Sequence, residues 1–422
     1  MLENHITSPV LSEILIDYAW FLTISKGDFS TAEKLTKEAL NRINKQKYPK
    51  IYAQGLNTLG GITYKKGDYD MALNYYKKTL HIYENLTDKK HIAISLNNIG
   101  SVYFYKGDLD TALKYSLEYL NISSEIGDKQ GVSRASGNIG DIYKNKGDFE
   151  AALKYAEKDL KISEEIGDKQ GIIRAYNYIG GIYYAKGDLN TALKYAQKHL
   201  SISKEIINKA AINLAYNNIA IIYSNLGKLD DALIHFEKNL ESCKEMNDTK
   251  GQSIACINIG NIYLKKGKFE SALKYYNDCL GILEKIGDKQ NKGIVYTQLG
   301  NLYGKLKDID RSYSYLKKAE AIFKEKKDMD NLSKVYSLIA NLNIEKDEYK
   351  KGIKLSEKAL NLAREFNAIE SEIIALRTLG KTLSKLAKTK NGTVLNLSGE
   401  KEEAEKYLKE ARTIFTKMDI TP

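Results

Sequence analysis

Residues 251–290 read GQSIACINIGNIYLKKGKFESALKYYNDCLGILEKIGDKQ, and these forty positions decide the fold. In the first half, Ala255, Ile259, Ile262 and Tyr263 fall at offsets 0, 4, 7 and 8, which is one face of a helix. In the second half, Ala272, Leu273, Tyr276, Cys279, Leu280 and Leu283 fall at offsets 0, 1, 4, 7, 8 and 11. The stretch therefore predicts two amphipathic helices. The junctions carry matching punctuation. In Lys106-Gly107-Asp108 the glycine can take the left-handed conformation that ends a helix, and the aspartate can cap the next one. Gly127-Asp128 and Gly167-Asp168 do the same between one unit and the next.

The unit recurs every forty residues. A column of small residues runs Gly60, Gly100, Gly140, Gly180, Ala220, Gly260, Gly300, Ala340 and Gly380. Seven residues on, glycine returns at 67, 107, 147, 187, 227 and 267, and twelve residues on, alanine returns at 72, 112, 152, 192, 232 and 272. A fixed period of this size marks units that cannot bury their own apolar face and must stack on neighbours. The first small column is expected where helix backbones approach closely. The first unit departs from it, with Trp20 in the glycine position, so its helix packing is expected to be wider or shifted.

Composition agrees with a helical stack. Only three prolines occur in 422 residues, Pro9, Pro49 and Pro422, and none interrupts the repeated core. No run of eighteen apolar residues exists, so no membrane partner is expected. The opening Met-Leu-Glu-Asn-His lacks the basic and apolar pattern of a secretory leader, and a cytoplasmic location is the expectation. Cys243, Cys256 and Cys279 have no CxxC spacing and read as packing residues in a reducing compartment. The five histidines are scattered, so neither a metal nor another cofactor is expected. The formal charge is +11, but acidic residues are interleaved throughout and lysine far outnumbers arginine. Nucleic-acid binding would ask for a concentrated basic stripe with stacking aromatics, and none is expected.

The ladder Ile99-Gly100-Ser101-Val102-Tyr103 followed by Ala112 resembles the tetratricopeptide repeat over Leu11 to about Phe415. With Ile126-Gly127-Asp128-Lys129 and Arg134-Ala135-Ser136-Gly137-Asn138-Ile139-Gly140, residues 91–290 look like the forty-residue repeats of Pins/LGN adaptors. Kinesin light chains and bacterial signalling proteins carry similar repeats. The resemblance implies an all-α, right-handed α-solenoid of about ten helix-turn-helix repeats, about twenty helices in all. The expected organisation is one solenoid over 1–422. It comprises an atypical first repeat at 1–50, regular repeats at 51–370, and an atypical last repeat at 371–422 with an insertion at 388–400. The insertion, which holds Val394, Leu395 and Leu397, is expected at the turn between the last two helices, as a cap in preference to a partner contact or plain disorder.

In this family the first helix of each repeat lines the concave surface. Spacing places Arg134, Arg174, Leu214 and Ile254 on that face, followed by Asn177, Asn217 and Ile257, then Ile221 and Asn261, then Leu264. A neighbouring column carries Asn98, Asn138, Asn218 and Asn258, broken by Tyr178. An amide both donates to and accepts from a peptide backbone, so an asparagine ladder suits an extended segment of any sequence. Asparagine here equally fits a structural role within the repeat, satisfying neighbouring helix termini. The lysine-led carboxylate clamp of chaperone co-factors is not reproduced, because its first column reads Asn57, Asn97, Gly137, Asn177, Asn217, Ile257 and Thr297.

The leading functional expectation is a non-enzymatic adaptor that binds a protein or extended peptide segment. The alternative is a sensory or regulatory module serving a fused or separately encoded kinase, protease or cyclase. A phosphate loop, a nucleophile elbow and a catalytic triad are all missing from the sequence. Oligomeric state is not legible.

Overall fold

The computed structural model describes residues 8–389, 402–410 and 413. Every element among them is helical, and successive helices pack as antiparallel pairs joined by short turns, an all-α solenoid of helix-turn-helix repeats. The chain divides into two compact units, Met1–Ile182 and Tyr183–Pro422. The first holds α1 (Ser8–Phe21), α2 (Phe29–Arg42), α3 (Pro49–Lys66), α4 (Tyr69–Asn85), α5 (Lys89–Tyr105), α6 (Leu109–Glu125), α7 (Lys129–Asn145) and α8 (Phe149–Glu165), with most of α9 (Lys169–Ala185). The second holds α10 (Leu189–Glu205), α11 (Lys209–Asn225), α12 (Leu229–Glu245), α13 (Thr249–Lys265) and α14 (Phe269–Ile286). It continues through α15 (Lys289–Lys305), α16 (Ile309–Lys326), α17 (Met329–Glu345), α18 (Tyr349–Glu365) and α19 (Ile369–Thr389). Residues 402–410 are also helical. No helix among the described residues is long and apolar enough to cross a membrane.

The punctuation works as its chemistry dictates. Gly67, Gly107 and Gly147 adopt φ near +80°, which L side chains rarely take, and so end their helices. The next residue caps the following helix: Asp108 accepts from the Thr111 amide at 3.1 Å and Asp148 from that of Ala151 at 3.0 Å. Each such cap contributes about 1 kcal/mol. The alanine column from Ala72 to Ala272 is fully buried.

The small-residue column has two physical causes rather than the one expected. At Gly140 an added Cβ would lie 3.2 Å from the Ala152 carbonyl oxygen, so there the two backbones do approach closely. At Gly60, Gly260 and Gly300 the space is taken by a large side chain sixteen residues on. An added Cβ would lie 2.5 Å from the rings of Tyr76 and Tyr276 and 2.6 Å from Leu316. Glycine and bulky partner thus form a complementary pair within one repeat.

Trp20 does not wedge the first repeat open. A π turn at Leu22–Lys26 takes up one extra residue before Gly27, so fully buried Ala19 takes the small position. Trp20 is turned outward and covers Gly61, where a Cβ would lie 2.6 Å from its ring. At the other end α19 runs on to Thr389, and Leu408 packs over Gly380. The remainder of the expected insertion, with Val394, Leu395 and Leu397, lies outside the described residues.

Candidate binding grooves

The asparagine column is joined into cross-repeat pairs. Asn98 donates from Nδ2 to Asn57 Oδ1 at 2.9 Å, and Asn138 does so to Asn97 at 2.8 Å. In the second unit Asn258 donates to Asn217 at 3.2 Å. Each pair spans 41 residues and fastens one first helix to the next. The partner is therefore another side-chain amide, not a helix terminus. One amide N–H and a lone pair stay available on the donor residue, so the pairs set the orientation of the ladder without exhausting it. Asn177 and Asn218 are half-buried and each is already engaged.

In the first unit, Arg174 is committed inside the protein. Its Nε and Nη2 reach Asp159 at 3.2 and 2.8 Å, and Nη2 also reaches Ser133 Oγ at 2.9 Å. Burial opposes the guanidinium charge, yet hydrogen bonding to Asp159 leaves its pKa raised. Of the two arginines expected on the concave face, it is therefore Arg134 that is exposed, near the Tyr119 hydroxyl. Gly137 is buried because a Cβ there would lie 2.8 Å from both Asp159 and the Tyr178 ring. Tyr178, which breaks the asparagine column, lines a groove of about 200 Å³ with Tyr64, Tyr105, Asn138 and Asp141. Burial pushes its hydroxyl up to about 12, so it acts there as a neutral donor.

The second unit gathers more of the expected residues. Ile221 from α11, Asn258, Asn261 and Leu264 from α13, and Gln298 and Asn301 from α15 line a groove of about 370 Å³. Lys265 and Lys305 stand at one end of it. Asn261 accepts from the Tyr276 hydroxyl at 2.7 Å, which fixes its oxygen and leaves its NH₂ without a partner among the described residues. The side chains of Gln298, Asn301 and Lys305 have no hydrogen-bond or ion-pair partner among the described residues. These three were missed in the sequence, although Gln298 and Asn301 lie one repeat beyond Asn258 and Asn261. Leu214 and Ile254 are exposed as expected, 45% and 39%. Ile257 is a correction: only 7% exposed, it belongs to the apolar cluster that runs from Ala220 to Tyr303. Leu264 is equally buried and forms part of the groove floor.

Cys243, Cys256 and Cys279 are buried and unpaired. Burial pushes the Cys256 thiol up to about 11 and that of Cys279 up to about 12, which keeps both protonated and inert.

Residues 13–215 match the family described as the MalT-like TPR region, and 211–285 and 252–325 match the tetratricopeptide repeat family. No curated protein sequence matches the chain. Among solved structures it is similar to aspartyl phosphate phosphatase F from Bacillus subtilis, at 14% identity and TM-score 0.56, over 100% of this chain and 97% of that one. It is also similar to the apo form of the quorum sensor NprR from B. thuringiensis, at 17% identity and TM-score 0.53, over 96% and 98%. A third is the Rap conjugation gene regulator of the plasmid pLS20 in complex with a Phr peptide. There the identity is 15%, the TM-score 0.50, and the coverage 75% of this chain and 96% of that one.

Proposed function

Since the chain belongs to the tetratricopeptide-repeat family, we propose that it is a non-enzymatic adaptor that holds an extended protein segment against its first helices. The observation that carries this reading is the amide-lined groove of α11, α13 and α15, with Gln298, Asn301 and Lys305 unpaired. Amides spaced along one wall can meet alternating peptide N–H and C=O groups irrespective of side chain. Lys265 and Lys305 would favour a segment with a carboxylate at that end. Ile221 and Leu264 supply apolar contact beneath it. A cytoplasmic location accompanies the proposal, as does the division into an atypical first repeat, regular repeats over 51–370 and an atypical last repeat.

A second reading, a sensory module whose bound peptide controls a fused or separately encoded effector, is favoured by the likeness to a quorum sensor and to a regulator in complex with a peptide. The two readings share the groove and differ in the consequence of binding. The test is a pull-down from the source cell with wild-type chain and with Gln298→Ala/Asn301→Ala. Loss of one captured protein at unchanged melting temperature supports the groove. Equal capture by both chains would sink it.

A further inference from the structure

Five repeats lock their two helices with face-to-face tyrosines. Tyr103 stacks on Tyr115, Tyr143 on Tyr155, Tyr183 on Tyr195, Tyr263 on Tyr275 and Tyr303 on Tyr315, with ring centroids 5.6–5.8 Å apart. In the repeat of α17 and α18 the same two positions carry Asn343 and Leu355. Asn343 turns its amide back onto its own helix, donating to the Ile339 carbonyl at 3.1 Å. Where the ring pair is missing, a groove of about 550 Å³ opens between α16, α17 and α18. Its floor is Tyr336, Ile339, Leu342 and Leu355.

Five lysines stand around that floor. Three are matched by neighbouring carboxylates: Lys317 with Glu320 at 2.7 Å, Lys351 with Glu348 at 3.0 Å and Lys346 with Asp310 at 3.7 Å. Lys354 and Lys358 have no carboxylate within ion-pair reach among the described residues, and Lys358 lies 4.6 Å over the Tyr336 ring. The groove thus combines an apolar floor with two unmatched cations beside it.

We infer that this groove is a second binding site, separate from the amide-lined one, which accepts an aromatic side chain carried within an acidic segment of a partner protein. An inserted ring regains the packing that stacked tyrosines give elsewhere, and flanking carboxylates meet Lys354 and Lys358. A uniform polyanion such as a nucleic acid fits poorly, because Asp310, Glu320 and Glu348 line the same groove and the floor is apolar.

The probe is a fluorescein-labelled peptide with a single phenylalanine flanked on both sides by glutamates, titrated with the full chain and followed by anisotropy. Saturable binding is expected, weakened at least tenfold when the peptide's phenylalanine is replaced by alanine. Lys354→Glu/Lys358→Glu should weaken it as much, whereas Lys154→Glu/Lys158→Glu, the exposed equivalents five repeats earlier, should leave it unchanged. Asn343→Tyr/Leu355→Tyr rebuilds the ring pair and should abolish binding while melting stays level or rises. If that double variant does not fold, the lysine pair and the alanine peptide still decide. Absence of binding, retention by the filled variant, independence from the phenylalanine, or tighter capture of a homopolymer RNA would each overturn the inference.

Discussion

Arg174 donates from Nη2 to Asp159 Oδ1 at 2.8 Å, and the carboxylate it reaches is fully buried. The repeat that holds Asp159 has no other cation at that carboxylate, and Ser133 and Ser163 supply its remaining hydrogen bonds. Removing one member of such a pair leaves an uncompensated buried charge, which costs about 3–5 kcal/mol. Arg174→Leu should therefore lower unfolding stability by that order. Asp159→Ala/Arg174→Ile should recover most of it, since later repeats place Ala319 and Ala359 in the aspartate's column. Urea denaturation of the wild-type chain and the two variants checks this, and a double variant no better than Arg174→Leu would show the pair not to be the cause.

His199 occupies the same column one repeat later, 1% exposed and with neither ring nitrogen hydrogen-bonded. Burial pulls its pKa down from 6.5 to about 4. Between those values the unfolded chain binds a proton that the folded chain does not, so stability falls as pH drops from about 6.5 to about 4 and is flat above. The full loss is on the order of 3 kcal/mol. His199→Leu should remove this dependence and raise stability at pH 5, because it also removes an unsatisfied polar group. Unfolding curves at pH 4.5, 5.5 and 7 measure the slope, and an unchanged slope in the variant would place its origin elsewhere.

The two kinds of glycine should respond differently to a methyl group. At Gly260 it meets the ring of Tyr276, which is fully buried and tied to Asn261. Overpacking of this kind costs about 1–3 kcal/mol. At Gly140 the nearest atom is the Ala152 carbonyl oxygen at 3.2 Å, with small Ala156 beyond it. The gain in helix propensity, about 1 kcal/mol, offsets most of that crowding. Gly260→Ala should thus be clearly the more destabilising of the two by thermal melting. The reverse order would show that backbone approach, not ring volume, governs the column.

Much of this architecture was legible because repetition averages out local ambiguity. Gly107, Asp108 and Ala112 each do one job at one offset, and the same job recurs at intervals of forty. What one-dimensional spacing misses is contact between helices. Ile257 falls on the expected exposed face of α13, yet the helices on either side bury it. Arg174 reads as a ligand-facing cation until Asp159, fifteen residues earlier, is seen to face it. Trp20 left a wider or a shifted packing open, and the π turn at Leu22–Lys26 makes it the shift, a register slip of one residue whose form a fixed period does not reveal. Gln298 and Asn301 were within reach, had the columns of Asn258 and Asn261 been carried one repeat further.

The amide pairs and the unpaired amides should separate in experiment. Asn258 spends one N–H on Asn217 and also lines the groove, so Asn258→Ala removes a clasp and a ligand contact together. Loss of a side-chain hydrogen bond of this kind costs about 1 kcal/mol. Gln298→Ala/Asn301→Ala removes no internal bond and should leave melting unchanged. If the groove holds a peptide backbone, both changes weaken partner binding, by about tenfold for two lost hydrogen bonds near 0.7 kcal/mol each. Only the first should also lower stability. Isothermal titration with the captured partner, paired with thermal melts, gives both readouts. An Asn258→Ala chain that loses stability but binds normally would assign that rung to repeat stacking alone and leave the groove to α15.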